Sequence, residues 1–103
     1  MTNYFIPTEG GIRVREGSLR DAYQTAAMIL YGLHARYGNN IHRGVTEYSM
    51  GDGLPIYNTA TGKAVSHWVR FANGKDPSKG WEKVSYSPDY GVSVDGPYRF
   101  RTR

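Results

Sequence analysis

The sequence predicts an α+β fold, in which one amphipathic helix packs on a curled antiparallel sheet of five to seven short strands. Three observations predict it. A single segment, residues 19–37, carries apolar residues at the three- and four-residue steps of a helix. After this segment the apolar period becomes two and stays there. The later apolar runs are separated by short turns, which join antiparallel strands, since a parallel crossover needs a dozen or more residues.

An N-terminal hairpin is expected before the helix. We predict its strands at Tyr4–Ile6 and Ile12–Arg15, joined by a turn that contains a proline and two glycines. In the second strand apolar and basic residues alternate, which is typical of a half-buried strand. This pattern predicts a buried Ile12 and exposed Arg13 and Arg15.

The helix is expected at residues 19–37, and both of its ends carry capping signals. Ser18 and Asp21 form a Ser-x-x-Asp start that satisfies the first free amides. Arg36 lies in the last turn, and Gly38 can adopt the left-handed conformation of a C-terminal cap. The predicted buried face comprises Leu19, Ala22, Tyr23, Ala26, Leu30, Leu33 and Tyr37.

A β-meander is expected after the helix, within a single domain that spans residues 1–103. Its strands are predicted at Val45–Met50, Leu54–Asn58, Ala64–Phe71, Trp81–Ser87, Val92–Val94 and Tyr98–Thr102. Turn-forming residues separate these runs. One helix cannot cover both faces of such a sheet, so we expect an open face where a partner binds.

The charge of the chain is concentrated at its C-terminus. Thirteen Lys and Arg residues face nine Asp and Glu residues, a net charge of +4. Arg99, Arg101 and Arg103 supply three of these charges, and ten basic against nine acidic side chains remain without residues 99–103. The body is therefore nearly neutral and the tail is basic.

Several classes of site and location are disfavoured. The absence of cysteine excludes disulfides, thiolate zinc sites, iron–sulfur clusters and a cysteine nucleophile. The three histidines lack the spacing of a zinc site, so we predict no metal and no cofactor. No apolar run approaches the roughly 20 residues of a membrane span. The first residues lack the basic and apolar regions of a signal peptide, so we predict a cytoplasmic location with no membrane contact.

One catalytic hypothesis remains open. A metal-free ribonuclease needs a general base, a general acid and a cation that stabilises the charged transition state. His42 and His67 are the candidate acid and base, with Arg43 as the cation. However, alternation places His67 with apolar neighbours, which is typical of a half-buried structural histidine.

Aromatic and basic residues give the strongest signal for binding. The segment 98–103 alternates aromatic with arginine side chains, and in a strand those arginines would be spaced roughly like phosphates. Alternatively, they protect an edge strand from pairing. Lys75 and Lys79 precede Trp81 on a loop that could flank a groove, although Trp81 is equally suited to begin a core strand.

We therefore expect a small non-enzymatic binding protein that occupies a surface of a host protein or nucleoprotein complex. Small accessory proteins of phages and mobile elements, including inhibitors of defence complexes, often have these general features, which is an analogy of size and style and not a shared motif. The alternatives are a nucleic-acid-binding module that uses the arginine-rich C-terminal strand, and a metal-free ribonuclease. An edge strand could also pair two chains into a homodimer. The candidate binding residues are Arg13, Arg15, Arg43, Lys75, Lys79, Trp81, Tyr98, Arg99, Arg101 and Arg103.

Overall fold

A computed structural model of the chain describes residues 3–45, 53–72, 74 and 76–101. Within this part of the chain, one helix and six antiparallel strands confirm the predicted α+β class, with a hairpin before the helix and a meander after it. The elements are β1 (Tyr4–Pro7), β2 (Arg13–Glu16), α1 (Leu19–Tyr37), β3 (Tyr57–Asn58), β4 (Trp68–Phe71), β5 (Trp81–Ser87) and β6 (Gly91–Tyr98). Single 3-10 turns lie at Glu9–Gly11, Ile41–Arg43 and Pro77–Lys79.

The helix has the predicted limits and caps. The Ser18 hydroxyl accepts a hydrogen bond from the Asp21 amide at 3.1 Å, and Gly38 has a φ of 62° and donates its amide to the His34 carbonyl. Small residues on the buried face let the helix lie close to the strands, and α1 contacts β1, β2 and β4. The buried helical residues are Ala22, Tyr23, Ala26, Ala27, Leu30 and Leu33.

The strands form two three-stranded antiparallel sheets, ordered β2-β1-β3 and β4-β5-β6. An isolated bridge from Leu54 to Val69 links β4 to the segment that leads into β3, and one from Tyr57 to Ala64 links β3 to the segment that leads into β4. The two bridges differ by two residues in register, so no continuous ladder runs between the segments 54–58 and 64–71. The predicted single curled sheet is therefore divided into two sheets that share α1.

Several predicted strands differ from the observed ones. Ile12 is 65% exposed rather than buried, because it closes the 3-10 turn before β2, where its amide bonds to the Glu9 carbonyl. Of the run 54–58 only β3 is a strand, and of the run 64–71 only β4. Most of the predicted strand 45–50 lies outside the described residues.

The predicted strand Tyr98–Thr102 is wrong. β6 extends through residues 91–98 and ends at Tyr98, and residues 99–101 have no strand partner within the described structure. The physical reason is that the tail is held by side-chain packing and not by backbone hydrogen bonds to a neighbouring strand. Phe100 lies against the rings of Tyr31 and Phe71.

Tyr23 gives the fold a testable dependence on pH. The side chain is buried and its hydroxyl donates to the His67 carbonyl at 3.4 Å. Burial raises the pKa of Tyr23 from 10.0 to about 12, and the charge of Asp95 adds to the shift. Because the folded state holds this proton more tightly than the unfolded chain, its contribution to stability is complete below pH 10 and is lost between pH 10 and about 12.

We expect the urea midpoint of unfolding to fall as the pH rises through this window, and to fall less in the Tyr23→Phe variant. A residual slope is expected in the variant, since hydrogen bonds to carboxylates also raise the pKa values of Tyr37 and Tyr98. Equal slopes for the two proteins would show that the Tyr23 hydroxyl does not titrate as described.

Candidate binding site

The C-terminal tail runs over the helix with alternate side chains inward and outward. The Trp81 indole Nε1 donates to the Arg99 carbonyl at 3.2 Å. The Phe100 ring centroid lies 5.0 Å from that of Tyr31 and 5.8 Å from that of Phe71. Arg99 is exposed. The predicted alternation of aromatic and arginine residues is thus present, without a strand.

The turn Pro77–Lys79 lies beside this tail and is held by its own cap. The Asp76 carboxylate accepts hydrogen bonds from the Ser78 amide at 2.9 Å and hydroxyl at 2.7 Å. These bonds lower the pKa of Asp76, and the charges of Lys79 and His34 lower it further. The cap therefore stays ionised and keeps the turn in place at neutral pH.

Gly80 allows the turn and the tail to meet. Its φ is +90°, and a Cβ at this position would lie 2.2 Å from the Tyr98 carbonyl oxygen. Any larger residue would push the tail away from the turn. The close approach of the turn and the tail therefore depends on a glycine at position 80.

A groove of about 560 Å³ lies between the helix, the turn and the tail. We call it the basic groove. Tyr31 of α1, 44% exposed, forms one side, while Lys79 and Arg99 are both exposed at its border. Lys79 and Arg99 are the two charged side chains among the described lining residues, and both are cations. The described residues that line it are Tyr31, Pro77, Ser78, Lys79, Gly80, Pro97, Tyr98, Arg99 and Phe100.

The structure brings together part of the predicted binding set. Lys79, Tyr98 and Arg99 all line the basic groove. Arg101 lies farther along the helix, in a shallow depression of about 340 Å³ that it shares with Met28. Trp81 does not belong to this surface. It is 1% exposed and packs on Tyr98 at 4.8 Å between ring centroids, so the core-strand alternative describes its position.

The other predicted binding residues do not line this groove. Arg13 and Arg15 are exposed on β2, the outer strand of the first sheet, and the Arg13 guanidinium lies 4.5 Å from the centre of the Phe5 ring. Arg43 is exposed in the 3-10 turn that follows the helix. Lys75 and Arg103 lie outside the described residues.

The candidate ribonuclease residues lie near opposite ends of the helix. His42 belongs to the 3-10 turn after its C-terminus, whereas the His67 carbonyl is bonded to Tyr23 near its N-terminus. A helix of 19 residues is roughly 28 Å long. In addition, the His67 imidazole is bonded to Ser66, with its Nδ1 3.0 Å from the hydroxyl oxygen. This placement does not favour an acid–base pair.

Two residues of the groove, Tyr31 and Phe100, were absent from the predicted binding set. Tyr31 falls outside the three- and four-residue pattern of the buried helix face, and a large aromatic side chain on the polar side of a helix is a signal for binding. Phe100 was grouped with the alternating tail, but the sequence contains no indication that it packs on Tyr31.

Comparison of the chain with protein-family models, curated proteins and solved structures gives no match in any of the three. In the part of the chain that the structure describes, no helix combines the length and apolar character needed to cross a membrane.

Proposed function

We propose that this chain is a non-enzymatic binding protein that occupies an acidic surface of a protein or nucleoprotein complex through the basic groove. The observation that carries this proposal is the position of Tyr31 beside Lys79 and Arg99 in one concave surface. Tyr and Arg are the residue types that dominate binding hot spots, because they combine a large contact area with polar ends.

The charge of the groove specifies the kind of partner. Two exposed cations border it, and Arg101 continues the positive charge along the helix. A partner that presents carboxylates or phosphates is attracted to this surface and is oriented on it. An accessory or inhibitor role, in which the chain blocks the function of a larger complex, agrees with such a surface on a chain of 103 residues.

Photo-crosslinking tests the proposal directly. Tyr31 is replaced by a benzoyl-phenylalanine residue, and Tyr90 in the β5–β6 turn serves as the matched control because it is 91% exposed. In a lysate of cells that carry the gene, we expect position 31 to form a crosslinked adduct of one defined mass. We expect no adduct of the same mass from position 90. The partner is then purified and its affinity for the wild-type chain is measured.

Two results would contradict the proposed function. One is equal adduct formation from both positions, which would mean nonspecific contact. The other is a purified partner whose affinity does not change when Tyr31 is replaced by alanine. Truncation of a central aromatic contact is expected to weaken binding by about tenfold or more.

Direct binding of single-stranded nucleic acid is a second candidate function, since the same groove pairs a stacking side chain with phosphate-binding cations. Labelled single-stranded RNA, single-stranded DNA and duplex DNA are titrated at two salt concentrations. If about three phosphates are neutralised, a rise from about 50 to 200 mM salt should weaken single-strand binding by about 20-fold. No shift of any probe at low salt would exclude this candidate and leave a protein surface as the target.

A further inference from the structure

β6 is an edge strand whose first five residues lack the usual protection against pairing. Among the described residues it pairs with β5 alone, and all of residues 92–97 are exposed. Edge strands present unpaired amides and carbonyls, and proteins commonly protect them with lysines or other charges. β6 contains no lysine or arginine, and Asp95 is its one charged residue.

One face of the β5–β6 hairpin is apolar and open. Tyr86 pairs with Val92, and Val84 pairs with Val94, so all four side chains point to the same side of the sheet. Val84 is fully buried, whereas Tyr86, Val92 and Val94 are 55%, 59% and 49% exposed. The apolar surface therefore continues from a covered interior to the free edge of the sheet.

Proline restricts which part of this edge can accept another strand. Pro97 has no amide hydrogen, and the β5–β6 register shifts between Trp81 and Lys83, opposite residues 95–98. The regular segment is therefore Gly91–Asp95, whose midpoint is Ser93. Valine lies on either side of this midpoint, so the segment is self-complementary when paired antiparallel.

We infer that two copies of the chain form a dimer through antiparallel pairing of β6, with Ser93 opposite the partner's Ser93. Val92 then lies opposite the partner's Val94 on the apolar face. The β4-β5-β6 sheets of the two copies join into one sheet of six strands. Asp95 faces the partner's Gly91, and its own carboxylate lies 3.9 Å from the Lys83 ammonium. The pairing thus brings no like charges together.

The interface is small, which sets the expected affinity. Five paired residues on each copy, with Tyr86 beside them, bury less area than the roughly 1,200–2,000 Å² of a standard stable complex. We therefore expect a dissociation constant on the order of micromolar to tens of micromolar. The basic groove has a different lining, so loss of the dimer would leave the proposed function intact.

Disulfide trapping tests the register, because the chain contains no cysteine of its own. In the inferred pairing the Cα atoms of Ser93 and the partner's Ser93 are about 5 Å apart, within the range of a disulfide. Asp95 and the partner's Asp95 are about 13 Å apart, which is out of range. Under mild oxidation we expect Ser93→Cys to form a covalent dimer at least tenfold faster than Asp95→Cys. Equal rates would overturn the register.

Sedimentation equilibrium tests the dimer itself without a disulfide. We expect wild-type chain to shift from monomer to dimer as its concentration rises from about 1 to 500 µM, and Val94→Lys to weaken the dimer at least tenfold. Ile12→Lys is the matched control, because Ile12 is an exposed apolar residue that precedes β2. A wild-type chain that remains monomeric throughout, or equal effects of the two lysines, would overturn the inference.

Discussion

Replacement of Trp81 by alanine is expected to lower the free energy of unfolding by about 3–5 kcal/mol, the usual cost of deleting a buried large aromatic side chain. Trp81 is among the most buried large residues, and its ring packs on Tyr98. Its indole also holds the Arg99 carbonyl. The variant therefore loses core packing and the anchor of the tail together. Urea denaturation followed by circular dichroism measures the change.

Two further variants separate these contributions. Trp81→Phe keeps an aromatic ring but loses the hydrogen bond to Arg99, so we expect a smaller loss of stability than in the alanine variant. Tyr90→Ala removes an exposed ring and should change the free energy of unfolding by less than about 0.5 kcal/mol. If Trp81→Ala costs no more than Tyr90→Ala, the described packing of β5 and the tail is wrong.

Charge reversal in the basic groove is the second change with a large expected effect. The double variant Lys79→Glu and Arg99→Glu replaces both described cations of the lining by carboxylates. Like charges brought together at an interface cost several kcal/mol, so we expect affinity for an acidic partner to fall by about 30-fold or more. Both side chains are exposed, so the free energy of unfolding should change little.

The matched control reverses two exposed arginines that do not line the groove. Arg15→Glu with Arg43→Glu changes the net charge of the chain by the same amount, but at β2 and at the turn after the helix. We expect this variant to bind within about threefold of wild type, mainly through a slower association. If the two double variants lose affinity equally, net charge rather than the groove determines binding.

The sequence predicted the helix best because all of its signals are local. The buried face repeats within a single segment, and Ser18 and Gly38 mark its two ends. β5 was also predicted at its observed limits, Trp81–Ser87, since turn-forming residues bound it on both sides. Where the apolar periodicity of a segment and the capping or turn residues at its ends predict the same element, its limits depend little on the rest of the chain.

The tail was predicted less well because its structure depends on distant residues. Alternation of aromatic and basic residues is typical of a strand, and the same alternation is compatible with an irregular segment that packs on a helix. The partners of residues 99 and 100 are Trp81 and Tyr31, which lie 18 and 69 positions away in the sequence. No local pattern contains that information.

The basic groove could be predicted only in part for the same reason. Lys79 and Arg99 were recognised as candidate binding residues, each from its own segment. Their convergence depends on Gly80, which allows the turn to approach the Tyr98 carbonyl. The apolar periodicity did not indicate that Tyr31 would complete this surface. Periodicity identifies the buried face of a helix, but it does not identify which segments lie beside the exposed face.

Amide NMR of the nitrogen-15-labelled chain, with and without the partner captured through position 31, tests the central claim most directly. We predict that shift changes cluster at Tyr31, at residues 78–80 and at residues 98–101, while the β1–β2 hairpin is unchanged. Changes confined to β1–β2 or to the turn after the helix would contradict the claim that the basic groove is the binding site.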